Sequence, residues 1–218
     1  MRKIKAFIFD LDGVITDTSE FHYQAWQRLA NDEGIPFSRE ENEKLRGVGR
    51  PESLAIMLKG RVISEATAQA WMDRKNNYYV ELVHTVTPKN ILPGVIGLLN
   101  EIKAAGILTA LASASKNAPL VIEKLSLQPY FQVVVDGLTV TRSKPAPDLF
   151  LKAAELLDVA PETCVVVEDA TSGVEAGQAA GMLTLGLGPI ERVGTADLAL
   201  PDLSHTSLKE ILAGLSKG

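Results

Sequence analysis

Ala6-Phe7-Ile8-Phe9-Asp10-Leu11-Asp12-Gly13-Val14 decides the fold: four apolar residues in a row, then two acids one residue apart, then a glycine. An apolar run of this length without polar alternation reads as a strand buried on both faces, the kind found in parallel sheets. Four more runs share the character: Leu108 to Ala112, Val133 to Val135, Cys164 to Val167 and Leu183 to Leu187. Parallel strands need crossovers, and Val95 to Ala105, Pro119 to Leu125, Pro147 to Leu157 and Ser172 to Ala180 supply helices for them. The expected class is α/β.

The first crossover is the exception, because far more chain lies between Phe9 and Leu108 than one helix needs. Within it, Phe21, Ala25, Trp26 and Leu29 stand at helical spacing, then Leu54, Met57 and Leu58, then Trp71, Tyr78 and Leu82. Gly34-Ile35-Pro36 and Gly47-Val48-Gly49-Arg50-Pro51 break these helices as loops. The architecture expected is a Rossmann-like three-layer core with a parallel sheet, residues 1–15 and 89–218, plus an inserted helical cap domain, residues 16–88. Its two links, Asp17-Thr18-Ser19 and Val86-Thr87-Pro88, are expected side by side as a hinge.

Composition narrows the classes. Of 218 residues, 27 are Asp or Glu and 22 are Lys or Arg, a net charge of −5 with no basic footprint, so nucleic acid is not expected as a partner. Cys164 stands alone and cannot form an internal disulfide; it reads as a small buried hydrophobe. Met1-Arg2-Lys3-Ile4-Lys5 runs into a strand rather than a signal-peptide core, which points to the cytoplasm. No apolar run approaches the roughly 18 residues of a membrane span. No unpaired apolar helix or heptad seam stands out, and a monomer is expected.

Polar residues recur where the strands end: Asp10 and Asp12 after the first, Ser113 and Ser115 after the second, Glu168 and Asp169 after the fourth. Open parallel sheets bind ligands at those carboxyl ends. Asp10, Asp12, Glu168 and Asp169 would gather four negative charges against Lys144 alone, and a hard divalent ion, Mg²⁺ above all, relieves such crowding. Crowded carboxylates also push a pKa upward, which suits a group that moves a proton.

Asp10-Leu11-Asp12-Gly13-Val14, Ser113, Lys144-Pro145 and Glu168-Asp169 resemble, in order and strand context, the four motifs of the haloacid dehalogenase superfamily of phosphotransferases. The resemblance implies that Asp10 attacks phosphorus and becomes an aspartyl phosphate, with Asp12 as acid and base. It implies Mg²⁺ on Asp10, the main-chain carbonyl of Asp12, Glu168 and Asp169, with Ser113 and Lys144 on the transferring phosphoryl group. Asp17-Thr18, His22, Ala25-Trp26, Arg46-Gly47-Val48-Gly49-Arg50, Ser53 and Arg74-Lys75-Asn76 are similar to the cap of the β-phosphoglucomutase branch, and Ser113-Ala114-Ser115-Lys116-Asn117 fits the same branch.

That branch interconverts β-D-glucose 1-phosphate and glucose 6-phosphate, with β-glucose 1,6-bisphosphate as primer and intermediate. A phosphate at each end of one sugar requires a second phosphate site, and the rigid guanidinium fork of Arg50 suits it. Thr18 is the expected resting partner of Asp12, and His22 and Lys75 the links between closure and Asp12. The glycines flanking Val48 let main chain approach a sugar, and Trp26 serves packing before sugar contact. Arg46 and Gly49 depart from the lysine and the serine or isoleucine usual there, Asp136 to Arg142 receives no role, and neither do His84 and His205. The Lys144-Pro145 bond is open to the cis isomer. Two rivals stand: an Mg-dependent sugar-phosphate phosphatase of the same superfamily, and a non-catalytic sugar-phosphate binding protein.

Overall fold

The structure, a computed structural model, describes residues 3–45 and 48–216. Six parallel strands form one sheet in the order β3-β2-β1-β4-β5-β6. They are β1 (Ala6–Phe9), β2 (Leu108–Ala112), β3 (Val133–Val135), β4 (Cys164–Glu168), β5 (Leu183–Leu187) and β6 (Leu198–Leu200). The five strands expected from apolar runs are all present. The sixth carries no such run, because Leu198–Leu200 is a short edge strand, only half-buried. β4 runs one residue further than expected, so Glu168 belongs to the strand rather than following it.

Alternation within β1 explains the three layers. Phe7 and Phe9 face one side, where they share a core with Leu98, Val121 and Ile211. Ala6 and Ile8 face the other, packed with Phe150, Ala153 and Ala176. The first layer is built by helices Val95–Ala104, Ala118–Lys124 and Leu208–Leu215, the second by Asp148–Leu156 and Thr171–Ala179. β1 lies between β2 and β4, in register Phe9 to Leu111 and Phe9 to Val167. The residue leaving β1 therefore emerges mid-sheet, beside the ends of both neighbours.

Among the described residues four helices fill the long first crossover: α1 (Ser19–Asp32), α2 (Arg39–Glu43), α3 (Arg50–Leu58) and α4 (Glu65–Val83). Trp26, Leu29, Leu54, Met57 and Trp71 give this insertion a core of its own. Where the insertion meets the rest of the chain, Leu92 N donates to Ile15 O at 2.9 Å and the Thr16 hydroxyl donates to Asn90 O at 2.8 Å. On α4 the phase differs from the apolar reading. The buried stripe is Trp71, Lys75, Tyr79 and Val83, whereas Tyr78 stands half-buried at its edge, its hydroxyl donating to Asp32 at 2.8 Å and its ring beneath the Arg28 guanidinium. A lysine inside the stripe broke the apolar period, so Tyr78 and Leu82 matched the pattern one residue early. Among the described residues, no helix is long and apolar enough to cross a membrane.

Candidate active site

Past Phe9 the chain stays on the ladder for one residue, Asp10 N donating to Val167 O at 2.9 Å, and then turns back on itself. Gly13 N donates to Thr16 O at 2.7 Å and Ile15 N to Leu11 O at 2.9 Å. Gly13 sits at φ +79, and a Cβ there would overlap the Asp169 carboxylate, so both the turn and the close approach require glycine. The turn sends Asp10 and Asp12 to the cavity and Leu11 into the core.

Asp10, Glu168 and Asp169 are buried and bring one carboxylate oxygen each within 4.8 Å of the others. Asp12 does not join them. Its carboxylate turns toward α1 and accepts a hydrogen bond from the Thr18 hydroxyl, so the acidic cluster has three members rather than the four expected. Lys144, its side chain wholly buried, donates to Asp10, to Glu168 at 2.5 Å and to Ala112 O at 3.3 Å. The second oxygen of Glu168 accepts from Asp169 N at 2.9 Å and Ala170 N at 3.0 Å, where the following helix begins. A second cation, unread in the sequence, stands here: Arg192 Nη2 lies 3.6 Å from Asp169 Oδ2. The Lys144–Pro145 bond is cis.

Burial pushes Asp10 well above the ordinary carboxylate range, with the Lys144 charge pulling it down and Glu168 and Asp12 adding to the rise. For Lys144 burial disfavours the charge, but Asp10 and Glu168 outweigh it and hold the ammonium more firmly than in water. Three hard oxygen donors this close, two of them sharing one lysine, fit a divalent ion of the Mg²⁺ kind.

Around Asp12 a second network forms. The Thr18 hydroxyl also meets Tyr79 OH at 2.9 Å. His22 Nε2 lies 3.7 Å from Asp12 Oδ2, while its Nδ1 is 2.7 Å from Lys75 Nζ. An ammonium only donates, so against Lys75 the Nδ1 accepts and the ring's N–H faces Asp12. Burial, then the Lys75 and Arg50 charges, hold His22 well below its usual pKa. Lys75 is lowered likewise by burial and by Arg50, and its Nζ lies 5.0 Å from the Trp26 ring centre.

Asp12 itself is raised by burial against the opposing hydrogen bond from Thr18. A carboxylate whose folded pKa exceeds its unfolded one imposes no cost below the unfolded value; stability is lost as pH rises through the folded value. Asp12→Asn keeps the acceptor for Thr18 and removes that loss. Without metal, its Tm should exceed that of the unmutated chain at pH 7 and match it in acid; a lower Tm at pH 7 shows that the ionised carboxylate is stabilising.

These groups line one cavity of about 220 Å³ between the insertion and the sheet ends. Of the expected residues, His22, Trp26, Val48, Gly49, Arg50, Ser53 and Lys75 reach it from the insertion, and Ser113, Ala114, Ser115 and Lys116 from the loop after β2. Thr18, Asn117, Lys144 and Glu168 sit behind that lining, joined by hydrogen bonds to Asp12, Ser115, Asp10 and Asp169 of it. Arg46 and Gly47 lie outside the described residues. The loop that received no role contributes Gly137, Val140 and Thr141, and Ser143 follows it there. Gly49, which caps α3, is buried with its backbone against Ser143, and a Cβ would overlap that hydroxyl and the Glu52 carboxylate. Arg50 opens α3, half-buried, and donates to Asn76 at 2.7 Å.

The haloacid dehalogenase-like hydrolase family matches residues 4–181 of the chain. The β-phosphoglucomutase of Bacillus subtilis (strain 168) is 42% identical over 210 residues, 94% of this chain and 93% of that protein. A crystal structure of β-phosphoglucomutase from Clostridium difficile superposes with a TM-score of 0.95 at 38% identity, covering 98% of each chain. A phosphorylated carbohydrates phosphatase of Thermotoga maritima is 31% identical over 96% of this chain and 100% of its own.

Proposed function

The chain belongs to the haloacid dehalogenase-like hydrolase family, and on that premise we propose that it is an isomerase interconverting β-D-glucose 1-phosphate and glucose 6-phosphate, as its β-phosphoglucomutase relatives are named for doing. One observation carries the reading: a single cavity has an acidic, lysine-backed pole on the sheet and a guanidinium, Arg50, on the insertion. Moving phosphate between two ends of one sugar needs a site for each phosphate, whereas hydrolysis needs one.

Asp10 is the nucleophile and carries the phosphoryl group as an aspartyl phosphate. Ser113 and Lys144 hold that group's oxygens. Asp10, Glu168 and Asp169, with the main-chain carbonyl of Asp12, would hold Mg²⁺, which when bound offsets the negative charge of the transferring group. Asp12, released from Thr18, takes the proton of the sugar's 6-hydroxyl, and the N–H of His22 is placed to meet it. The phosphoryl group passes to the sugar to give β-glucose 1,6-bisphosphate, primer and intermediate, which turns end for end and returns its 1-phosphate to Asp10 while Asp12 gives its proton to the departing O1, so that glucose 6-phosphate leaves. Residues 16–88 act as a cap domain over a core of residues 1–15 and 89–218, hinged where Thr16 meets Asn90, and the closed cap keeps water from the acyl phosphate. A monomer in the cytoplasm suits a soluble sugar phosphate.

A coupled assay with β-glucose 1-phosphate, Mg²⁺ and the bisphosphate primer tests this: glucose 6-phosphate supports it. The phosphatase relative favours a second reading, hydrolysis, which inorganic phosphate as the main product would establish. A binding protein without catalysis would form no phosphoenzyme. Arg50→Ala removes a charged contact worth about 2–3 kcal/mol, so kcat/KM for β-glucose 1-phosphate should fall roughly 30- to 150-fold. Unchanged efficiency would place the far phosphate elsewhere.

A further inference from the structure

Asn76 lies on α4, half-buried, behind the insertion's face of the cavity. Its side-chain oxygen accepts two hydrogen bonds, from Arg50 Nη2 at 2.7 Å and from Asn117 Nδ2 at 2.8 Å. Both lone pairs of that oxygen are thereby used. The donors come from opposite sides of the cavity: Arg50 opens α3 of the insertion, and Asn117 caps the helix that follows β2 of the sheet. One oxygen thus draws together two groups that the chain otherwise carries on separate elements.

Arg50 is also left with its charge. Among the described residues no carboxylate pairs with it, although Asp73 lies one turn back on α4 and attracts it from a distance. A half-buried guanidinium resting on a neutral amide is held in place without being neutralised. An anion's oxygens form stronger hydrogen bonds with such donors than an amide does, and so displace it. A carboxylate at the same position would close an ion pair and compete with the anion.

We infer that Asn76 is a positioning residue that gathers Arg50 and Asn117 into a ready-made donor pair for the far phosphate of the sugar, and that its neutrality keeps the pair available. The inference rests on the function proposed above and adds the group that orders its second phosphate site.

Two variants separate positioning from a structural role. Asn76→Ala frees the donors, and KM for β-glucose 1-phosphate should rise about tenfold with kcat changed far less. Asn76→Asp, the nearer match in shape, should do more harm, raising KM about 100-fold, because its charge holds Arg50 against the incoming phosphate. A purely structural role predicts the reverse order, with Asp tolerated better than Ala. Phosphorylation of Asp10 by acetyl phosphate, a donor with no second phosphate, should proceed alike in all three proteins; an equal loss there shows damage to the fold and overturns the inference. Without any sugar, the side-chain N–H signal of Arg50, assigned with Arg50→Lys, should be sharp in the unmutated chain and in Asn76→Asp and broadened in Asn76→Ala. An unchanged signal in Asn76→Ala overturns the inference. If the unmutated chain takes phosphate from acetyl phosphate yet makes no glucose 6-phosphate, the proposed function fails, and the Arg50 signal still decides whether Asn76 holds it.

Discussion

Asp10→Asn should lower turnover at least roughly 10⁴-fold, since an amide cannot form the acyl phosphate on which both half-reactions of the proposed cycle depend. The fold should survive. Asn offers Lys144 an oxygen in the same place, Glu168 still neutralises the ammonium, and one of three crowded negative charges is removed. Burial already presses Asp10 toward its neutral form, so replacing it with a neutral isostere costs the folded state little. Mass spectrometry after incubation with acetyl phosphate and Mg²⁺ should show one added phosphoryl group on the unmutated chain and none on the variant. Turnover near the unmutated rate would remove Asp10 from the mechanism.

Lys144→Ala is the substitution expected to harm stability most. Nothing else described reaches Asp10 and Glu168 with a positive charge, since Arg192 lies against Asp169. Removing one partner from a buried ionic cluster commonly costs about 3–5 kcal/mol, because the remaining charges stay desolvated and repel. Without the lysine Asp10 is pushed still further above its unfolded pKa, so the folded state binds a proton more readily than the unfolded one and stability falls as pH rises. Denaturant unfolding should therefore show a larger deficit at pH 8 than at pH 5, and added Mg²⁺ should recover part of it. A deficit indifferent to pH and to Mg²⁺ would reduce Lys144 to a packing residue above the Phe150 ring, 4.9 Å away.

Much of this was legible in the chain because the core strands are runs of apolar residues buried on both faces, with polar residues at one set of ends. Thr18 against Asp12 was foreseen through resemblance and meets it in the structure, whereas the contact of Lys75 with His22 was not read from the chain. What escaped did so for physical reasons. β6 is a half-buried edge whose three residues carry no distinctive period. The last helix, Leu208–Leu215, was legible and passed over: Ser207 and Glu210 form a capping box ahead of Leu208, Ile211 and Leu215. Arg192 belongs to a four-residue helix after β5 with no motif, and only folding brings it to Asp169. Asn76 stood beside a recognisable lysine, but an amide's role depends on which donors converge on it, and those lie 26 and 41 residues away. The residues around Ser143 reach the cavity by a loop whose path no spacing encodes.

In the proposed cycle product is exchanged for substrate as the insertion draws back from the sheet, and Gly49 against Ser143 lies on that parting line. A larger residue at this point would surrender rotamer freedom each time the halves met and regain it each time they separated, biasing the molecule toward gaping. Bare backbone has no such freedom to lose. At this one spot the seam can part and reseal in every cycle without an entropic toll from a side chain.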